Sequence, residues 1–279
     1  MSAEIDAFTS PTLKHLRESW WDDDFTEFLA ETLRPRPGNR ILDVGCGEGL
    51  AEVSIGRLQI SQIRLVGIDL VPSKVADARR ETAAHNQRVA FAAADARQLP
   101  FIDSAFDSLY CVAVLQHIGD VQAAVKEFAR VTAKNGRVVA VEPDNSRRYV
   151  FTSVPSGQRA LEQSVVFFDA VTTSRGQKSE TEIGPRLPGL FAHHGIEPID
   201  VRLFPVSHAW LGPPPAAVWA ARRKSIDDAV TEAGSDLARA AGAEYLAALT
   251  AYEADAAQAG STFVEIQNTM LFATVGQRA

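Results

Sequence analysis

From Ile41 onward, apolar residues fall in short, nearly unbroken runs. Each run is followed by a stretch with helical spacing. The runs predict strands over 41–44, 63–69, 88–94, 106–112 and 137–142. Between them, helices are predicted over 50–59, 72–86 and 120–132, the second opened by Pro72. Strands apolar on both faces, alternating with helices, predict a parallel sheet covered on both sides. Ahead of it, Ser10 and Pro11 can start a helix whose Leu13, Leu16 and Trp20 share one face. Asp22, Asp23 and Asp24 can start another, continued by Phe25, Phe28, Leu29 and Leu33. Residues 34–39, with two prolines and Gly38, break it.

Beyond Glu142 the pattern loosens. Helices are expected over 156–174 and 182–194, and a strand over 196–207. Pro213-Pro214-Pro215 opens an alanine-rich helical stretch reaching about residue 259, and a last strand follows over 262–275. The stretch 213–259 is too long for a simple connection and reads as a helical insertion. The expected organisation is an N-terminal helical cap over 1–37, a core over 38–212, the insertion, and a last strand over 260–279 that completes the core.

Composition narrows the function classes. The 279 residues are 46% hydrophobic and 23% charged, an ordinary globular balance. With 28 basic and 35 acidic residues the net charge is −7, which argues against a nucleic-acid footprint. The acidic N-terminus lacks the apolar stretch of a signal peptide, and no run of residues is long and apolar enough to span a bilayer. Two cysteines, Cys46 and Cys111, cannot form a disulfide framework. A soluble cytoplasmic protein is expected. No Cys/His cluster has zinc spacing, so no metal is expected.

Ligands of open parallel sheets bind at the carboxyl ends of the strands, and the informative residues lie there. The first strand runs into Asp43-Val44-Gly45-Cys46-Gly47-Glu48-Gly49. Glycines in such a loop admit close approach of a ligand to the backbone. Leu50 stands where a dinucleotide fingerprint has its third glycine or alanine. The second strand ends in Asp69, suited to accept both hydroxyls of a ribose. The third ends in Asp95-Ala96, suited to accept from an exocyclic amine.

Together these motifs resemble the class I methyltransferases that use S-adenosylmethionine, in particular the small-molecule branch with the ubiquinone and menaquinone methyltransferases. Asp43 to Gly49 is similar to that family's first motif. Asp69 resembles its ribose-binding acid, Leu70 the residue beside the adenine, and Asp95-Ala96 its adenine-binding pair. Phe106-Asp107, Val114-Leu115-Gln116-His117-Ile118 and Asn135-Gly136-Arg137-Val138-Val139 match further segments, although the family often has a second glycine where Arg137 stands. The resemblance covers residues 38–142 well and 182–212 weakly. It implies an α/β fold, a doubly wound Rossmann-like, mostly parallel seven-stranded sheet, with N-terminal helices and a helical insertion before the last strand.

It also implies S-adenosyl-L-methionine as cofactor, in a pocket of Asp43, Gly45, Cys46, Gly47, Asp69, Leu70, Asp95, Ala96 and Val112, and methyl transfer to a small-molecule substrate by in-line displacement. His117, beyond the fourth strand, is the candidate general base, with helix capping or packing beside the cofactor as its alternative. Trp20, Trp21, Glu142 and Arg147 are candidate substrate contacts. Residues 213–259 read as a lid or as the interface of a homodimer. Two rival functions stay open: a cofactor-binding subunit without turnover, and a nicotinamide-dependent oxidoreductase. Leu50 and Asp95 count against the second.

Overall fold

The computed structural model of the chain describes residues 23–57, 62–174 and 182–279. The helix expected around Leu13 to Trp20 lies outside them. The described elements are α1 (Asp23–Leu33), β1 (Arg40–Val44), α2 (Leu50–Arg57), β2 (Arg64–Asp69), α3 (Pro72–Ala84), β3 (Val89–Ala93), β4 (Phe106–Val112), α4 (Val121–Val131), β5 (Thr132–Thr152), α5 (Pro155–Ser174), α6 (Ile183–His193), β6 (Ile196–Leu211), α7 (Ala216–Ala233), α8 (Asp236–Ala259) and β7 (Val264–Arg278).

The seven strands form one sheet in the order β3-β2-β1-β4-β5-β7-β6. The pairs β1–β2, β2–β3, β1–β4 and β4–β5 are parallel. Strand order reverses between β1 and β4. The register sets Val44 beside Ile68 and Cys111, Asp69 beside Ala93, and Val112 beside Val141. The loops after the first four strands therefore leave from one edge, where a ligand of such a sheet binds, and β5 runs on past it.

Local chemistry sets the boundaries. Asp120 caps α4 by accepting from the Ala123 amide at 3.0 Å, and Ser235 caps α8 by accepting from Ala238 at 3.0 Å. Gly234, at φ +59°, ends α7 in the left-handed conformation that a glycine adopts without a Cβ penalty. The expected single helical stretch over 213–259 is thus two helices with a capped break between them.

The largest difference from expectation is β5. Pro143 and the polar residues after Glu142 predict an irregular segment, yet the strand continues to Thr152. Just beyond it, the Ser153 amide donates to the Val264 carbonyl at 2.9 Å, and the Val264 amide donates to Ser153 Oγ at 2.9 Å. Pairing with the last strand carries the extended backbone past the point where side-chain preference alone would end it.

The chain divides into two compact units. In described residues, the first holds 23–146, 182–205 and 270–279, with the gap at 58–61. Its core packs Leu42, Val44, Ile68, Leu109 and Val138 with Phe128 of α4 and Phe191 of α6. On the other side, Cys46, Val75, Ala78 and Phe91 form a smaller cluster. The second unit holds 147–174 and 206–269. Its core joins α5, α7 and α8 through Phe167, Trp219, Ile226, Leu249, Tyr252 and Phe263. At its centre the buried Glu265 carboxylate accepts from both terminal nitrogens of Arg222, at 3.0 and 2.5 Å, and from the Tyr252 hydroxyl at 2.6 Å. The Arg222 guanidinium lies 4.7 Å from the Trp219 ring centroid.

Candidate functional site

The glycine loop after β1 is shaped by three left-handed glycines, Gly45 (φ +81°), Gly47 (φ +55°) and Gly49 (φ +86°). They differ in what surrounds them. A Cβ on Gly45 would lie 2.2 Å from Val114 Cγ2, and one on Gly49 would lie 3.1 Å from the Ala78 backbone. A Cβ on Gly47 would meet nothing within 4 Å. The chain thus packs closely on both ends of the loop and leaves its middle open. The amides of Gly45 and Cys46 both donate to the Ile68 carbonyl, at 2.7 and 2.9 Å, which fixes the loop to the end of β2.

Asp69 completes this junction. Its carboxylate accepts from the Gly47 amide at 3.0 Å and from the Val71 amide at 2.8 Å. Each oxygen keeps a second lone pair, so the group can still take hydroxyl donors. Leu70 beside it is 50% exposed, an apolar surface at the loop edge. Beyond β3, Asp95 accepts from Arg97 Nε at 3.0 and 3.1 Å and from Nη2 at 2.7 Å. These bonds to Arg97 hold the Asp95 carboxyl below its ordinary range and keep it an acceptor. Ala96 is buried next to it, and Val112 ends β4 half-buried.

The segment after β4 is held from β5. Ala113 adopts φ +56°, a conformation that costs a residue with a Cβ about 1–2 kcal/mol. Its amide donates to the Val141 carbonyl at 2.8 Å. Glu142, fully buried, then accepts from three successive amides: Val114 and Leu115 through Oε1 at 2.8 and 2.7 Å, and Gln116 through Oε2 at 3.3 Å. Asn145 adds a bond to the Gln116 side chain at 2.8 Å. This bracing sets Val114 against Gly45 and places His117, exposed, at the end of the 3-10 turn Leu115–His117. Asp144, buried, accepts from the Ser146 amide and hydroxyl.

Asp43 does not face the open part of the loop. It is buried, and the register flanks it with Gly67 and Tyr110. Burial is the chief cause of its carboxyl lying well above the ordinary range, with Glu52 adding to it. Trp20 and Trp21 lie outside the described residues. Arg147 is exposed on the part of β5 that belongs to the second unit. Sequence reasoning missed Glu52, Tyr110 and the Lys74–Glu48 ion pair, which ties the start of α3 to the glycine loop at 2.6 Å. Among the described residues, no group of three or more His, Cys, Asp or Glu is placed to hold a metal ion, and no helix is long and apolar enough to cross a membrane.

A parallel sheet reversing at β1/β4, a glycine loop open at its centre and an acid at the end of β2 define a Rossmann-like nucleoside-binding enzyme fold. Comparison with known proteins narrows this class. The family described as "Methyltransferase domain" matches residues 42–140. The demethylmenaquinone methyltransferase of Thermus thermophilus is 31% identical over 170 residues, covering 61% of this chain and 69% of that protein. The 27-O-demethylrifamycin SV methyltransferase of Amycolatopsis mediterranei is 32% identical over 137 residues, covering 45% of this chain and 50% of that protein. A solved putative methyltransferase from Bacillus halodurans superposes with a TM-score of 0.58 at 15% identity, covering 91% of this chain and 99% of that one. The chain belongs to the class I S-adenosylmethionine-dependent methyltransferases. It spans half the length or less of several curated relatives it matches.

Proposed function

We propose that this protein transfers a methyl group from S-adenosylmethionine to a small organic metabolite. The observation that carries the reading is the junction of Asp69 with the glycine loop: an ionisable acceptor bonded to the amide of Gly47, the one of the three loop glycines that leaves open space. The residues present fit the cofactor. Asp69 would accept from the ribose hydroxyls with its remaining lone pairs. Leu70 and Ala96 would flank the adenine, Asp95 would accept from its amine, and Gly45, Cys46, Gly47 and Val112 would bound the rest. S-adenosylmethionine supplies, when bound, an electrophilic methyl group on a sulfonium.

The chain's own contribution is position and exclusion of water. Glu142 fixes the segment that carries His117, and His117 is the group we assign to take a proton from an acceptor that arrives protonated. An acceptor that arrives as an anion or an activated carbon needs no such base. Trp20, Trp21 and Arg147 are our candidates for holding the acceptor. The net charge of −7 supports a metabolite over a nucleic acid as substrate, and two free, buried cysteines support a reducing compartment such as the cytoplasm.

Calorimetric titration with S-adenosylhomocysteine, NAD and NADP tests the cofactor. Binding of the first alone is expected. Asp69→Ala should weaken it by about 1–3 kcal/mol through loss of charged hydrogen bonds. Binding of a nicotinamide cofactor in its place, or unchanged affinity in the variant, would overturn the assignment.

A further inference from the structure

Glu52, in the first turn of α2, is fully buried, and none of the roles above uses it. The fold makes room for its carboxyl by omission. A Cβ on Gly67, in the middle of β2, would come within 2.6 Å of Glu52 Oε1 and within 2.6 Å of the Phe91 ring. Gly67 is also the register partner of Asp43, so β2 is hollowed where the two acids meet beneath the glycine loop. Tyr110, opposite on β4, is the third buried polar group there, and Cys46 of the loop is the fourth. Asp43 Oδ2, both Glu52 oxygens and the Tyr110 hydroxyl make no bond of strict hydrogen-bond geometry, yet Asp43 lies close enough to interact with both Glu52 and the Tyr110 hydroxyl.

The charges acting on this group are of one sign. Asp43 is influenced by Glu52 and Asp69, and Cys46 by Asp43, Glu52 and Asp69. The lysine at the loop, Lys74, bonds Glu48. Among the described residues no cation is set against the two buried carboxyls, so the ionisation of one opposes the ionisation of the other. Desolvation, the largest cause, raises Asp43 well above its ordinary range and Glu52 to about 7. The pair thus retains a proton that it would release to solvent when a positive charge comes near.

We propose that Glu52 and Asp43 form a charge-sensing pair beneath the cofactor loop: the pair gives a proton to solvent when a sulfonium cofactor binds and takes one back once methyl transfer leaves the neutral thioether. The inference rests on the cofactor proposed above. Linkage makes the effect reciprocal: a ligand that displaces the proton is held more tightly as the proton becomes easier to remove. The sulfonium form gains from the ionised pair and the thioether does not. Glu52 therefore sets preference for cofactor over spent product through Asp43 and the loop, as a positioning residue that need not touch either ligand.

The test is calorimetry of the full chain with S-adenosylmethionine and with S-adenosylhomocysteine, at pH 7, in two buffers of different ionisation enthalpy, for the wild type and Glu52→Gln. The wild type should release more protons on binding the sulfonium ligand than on binding the thioether, by up to about one, because burial pushes the Glu52 carboxyl up to about 7. In Glu52→Gln that difference should vanish, and the preference for the sulfonium ligand should fall by about three- to tenfold. Equal proton counts for the two ligands in the wild type would overturn the pair's role, as would a difference that persists in Glu52→Gln. Should Glu52→Gln fail to fold, the wild-type preference measured from pH 6 to 8 decides: it should rise with pH, and a flat profile refutes the proposal. Failure of both ligands to bind the wild type would overturn the cofactor reading itself, a result distinct from binding without proton linkage.

Discussion

Glu142 offers a quantitative test of how the site is held. Its carboxylate is fully buried and accepts from the amides of Val114, Leu115 and Gln116. Truncation by Glu142→Ala leaves these donors without their acceptor, and each buried donor so stranded costs about 1–3 kcal/mol. The two short bonds, at 2.8 and 2.7 Å, carry most of this; the third, at 3.3 Å, carries less. The loop can relax, because Ala113 at φ +56° stores strain that release would recover. A net loss of about 3–4 kcal/mol is expected. Glu142→Gln separates acceptor from charge. Its carbonyl oxygen can stand at the Oε1 position and keep the two short bonds, while its NH2 group opposes the Gln116 amide. A loss of about 1–2 kcal/mol is expected there. Urea denaturation with m held common to all three proteins measures both values. Equal losses for Ala and Gln, or less than about 1 kcal/mol for Ala, would refute the bracing argument.

Three further outcomes are expected. Gly49→Ala puts a Cβ 3.1 Å from the Ala78 backbone at φ +86° and should cost at least about 1–2 kcal/mol in thermal or urea unfolding, with loss of cofactor affinity in the same titration. Glu265→Ala strands the Arg222 guanidinium and the Tyr252 hydroxyl in the second unit and should cost about 3–5 kcal/mol, whereas a double change with Arg222→Met should recover part of that, as a double-mutant cycle would read. Glu52 also makes stability depend on pH. Burial pushes it up to about 7 from the ordinary glutamate value of 4.5, so its stabilising protonation is complete below about pH 4.5 and is lost as pH rises through 7. Glu52→Gln should therefore gain on the wild type by up to roughly 3 kcal/mol between pH 5 and pH 8, read as the difference in melting curves; parallel curves would refute this.

The expectations drawn from the chain succeeded where pattern and local chemistry coincide. The runs ending at Val44, Asp69 and Val112 became β1, β2 and β4, because strands buried on both faces leave an unbroken apolar trace. The glycine loop and Asp69 met as expected, since consecutive parallel strands bring their carboxyl ends together. Long-range pairing left no such trace. Nothing near Pro143 announces that β5 will run on to Thr152, because β7, more than a hundred residues later, supplies the partner. Glu142, a candidate substrate contact by its place at a strand end, is buried and accepts from the amides of the segment after β4. Glu52 went unread in the sequence, because nothing local to an acid in a first helical turn tells that β2 makes room for it at Gly67.

Gly47 bears on how this sequence tolerates change. Its φ of +55° with nothing within 4 Å means that asparagine or aspartate, which visit this conformation most readily after glycine, could stand there with little harm to the fold. Yet a side chain at that point projects into the space assigned to the ligand. Gly45 has no such latitude, since Val114 already occupies the place of its Cβ. A library scored for cellular abundance would thus accept letters at position 47 that a library scored for turnover rejects, while at position 45 the two selections would agree.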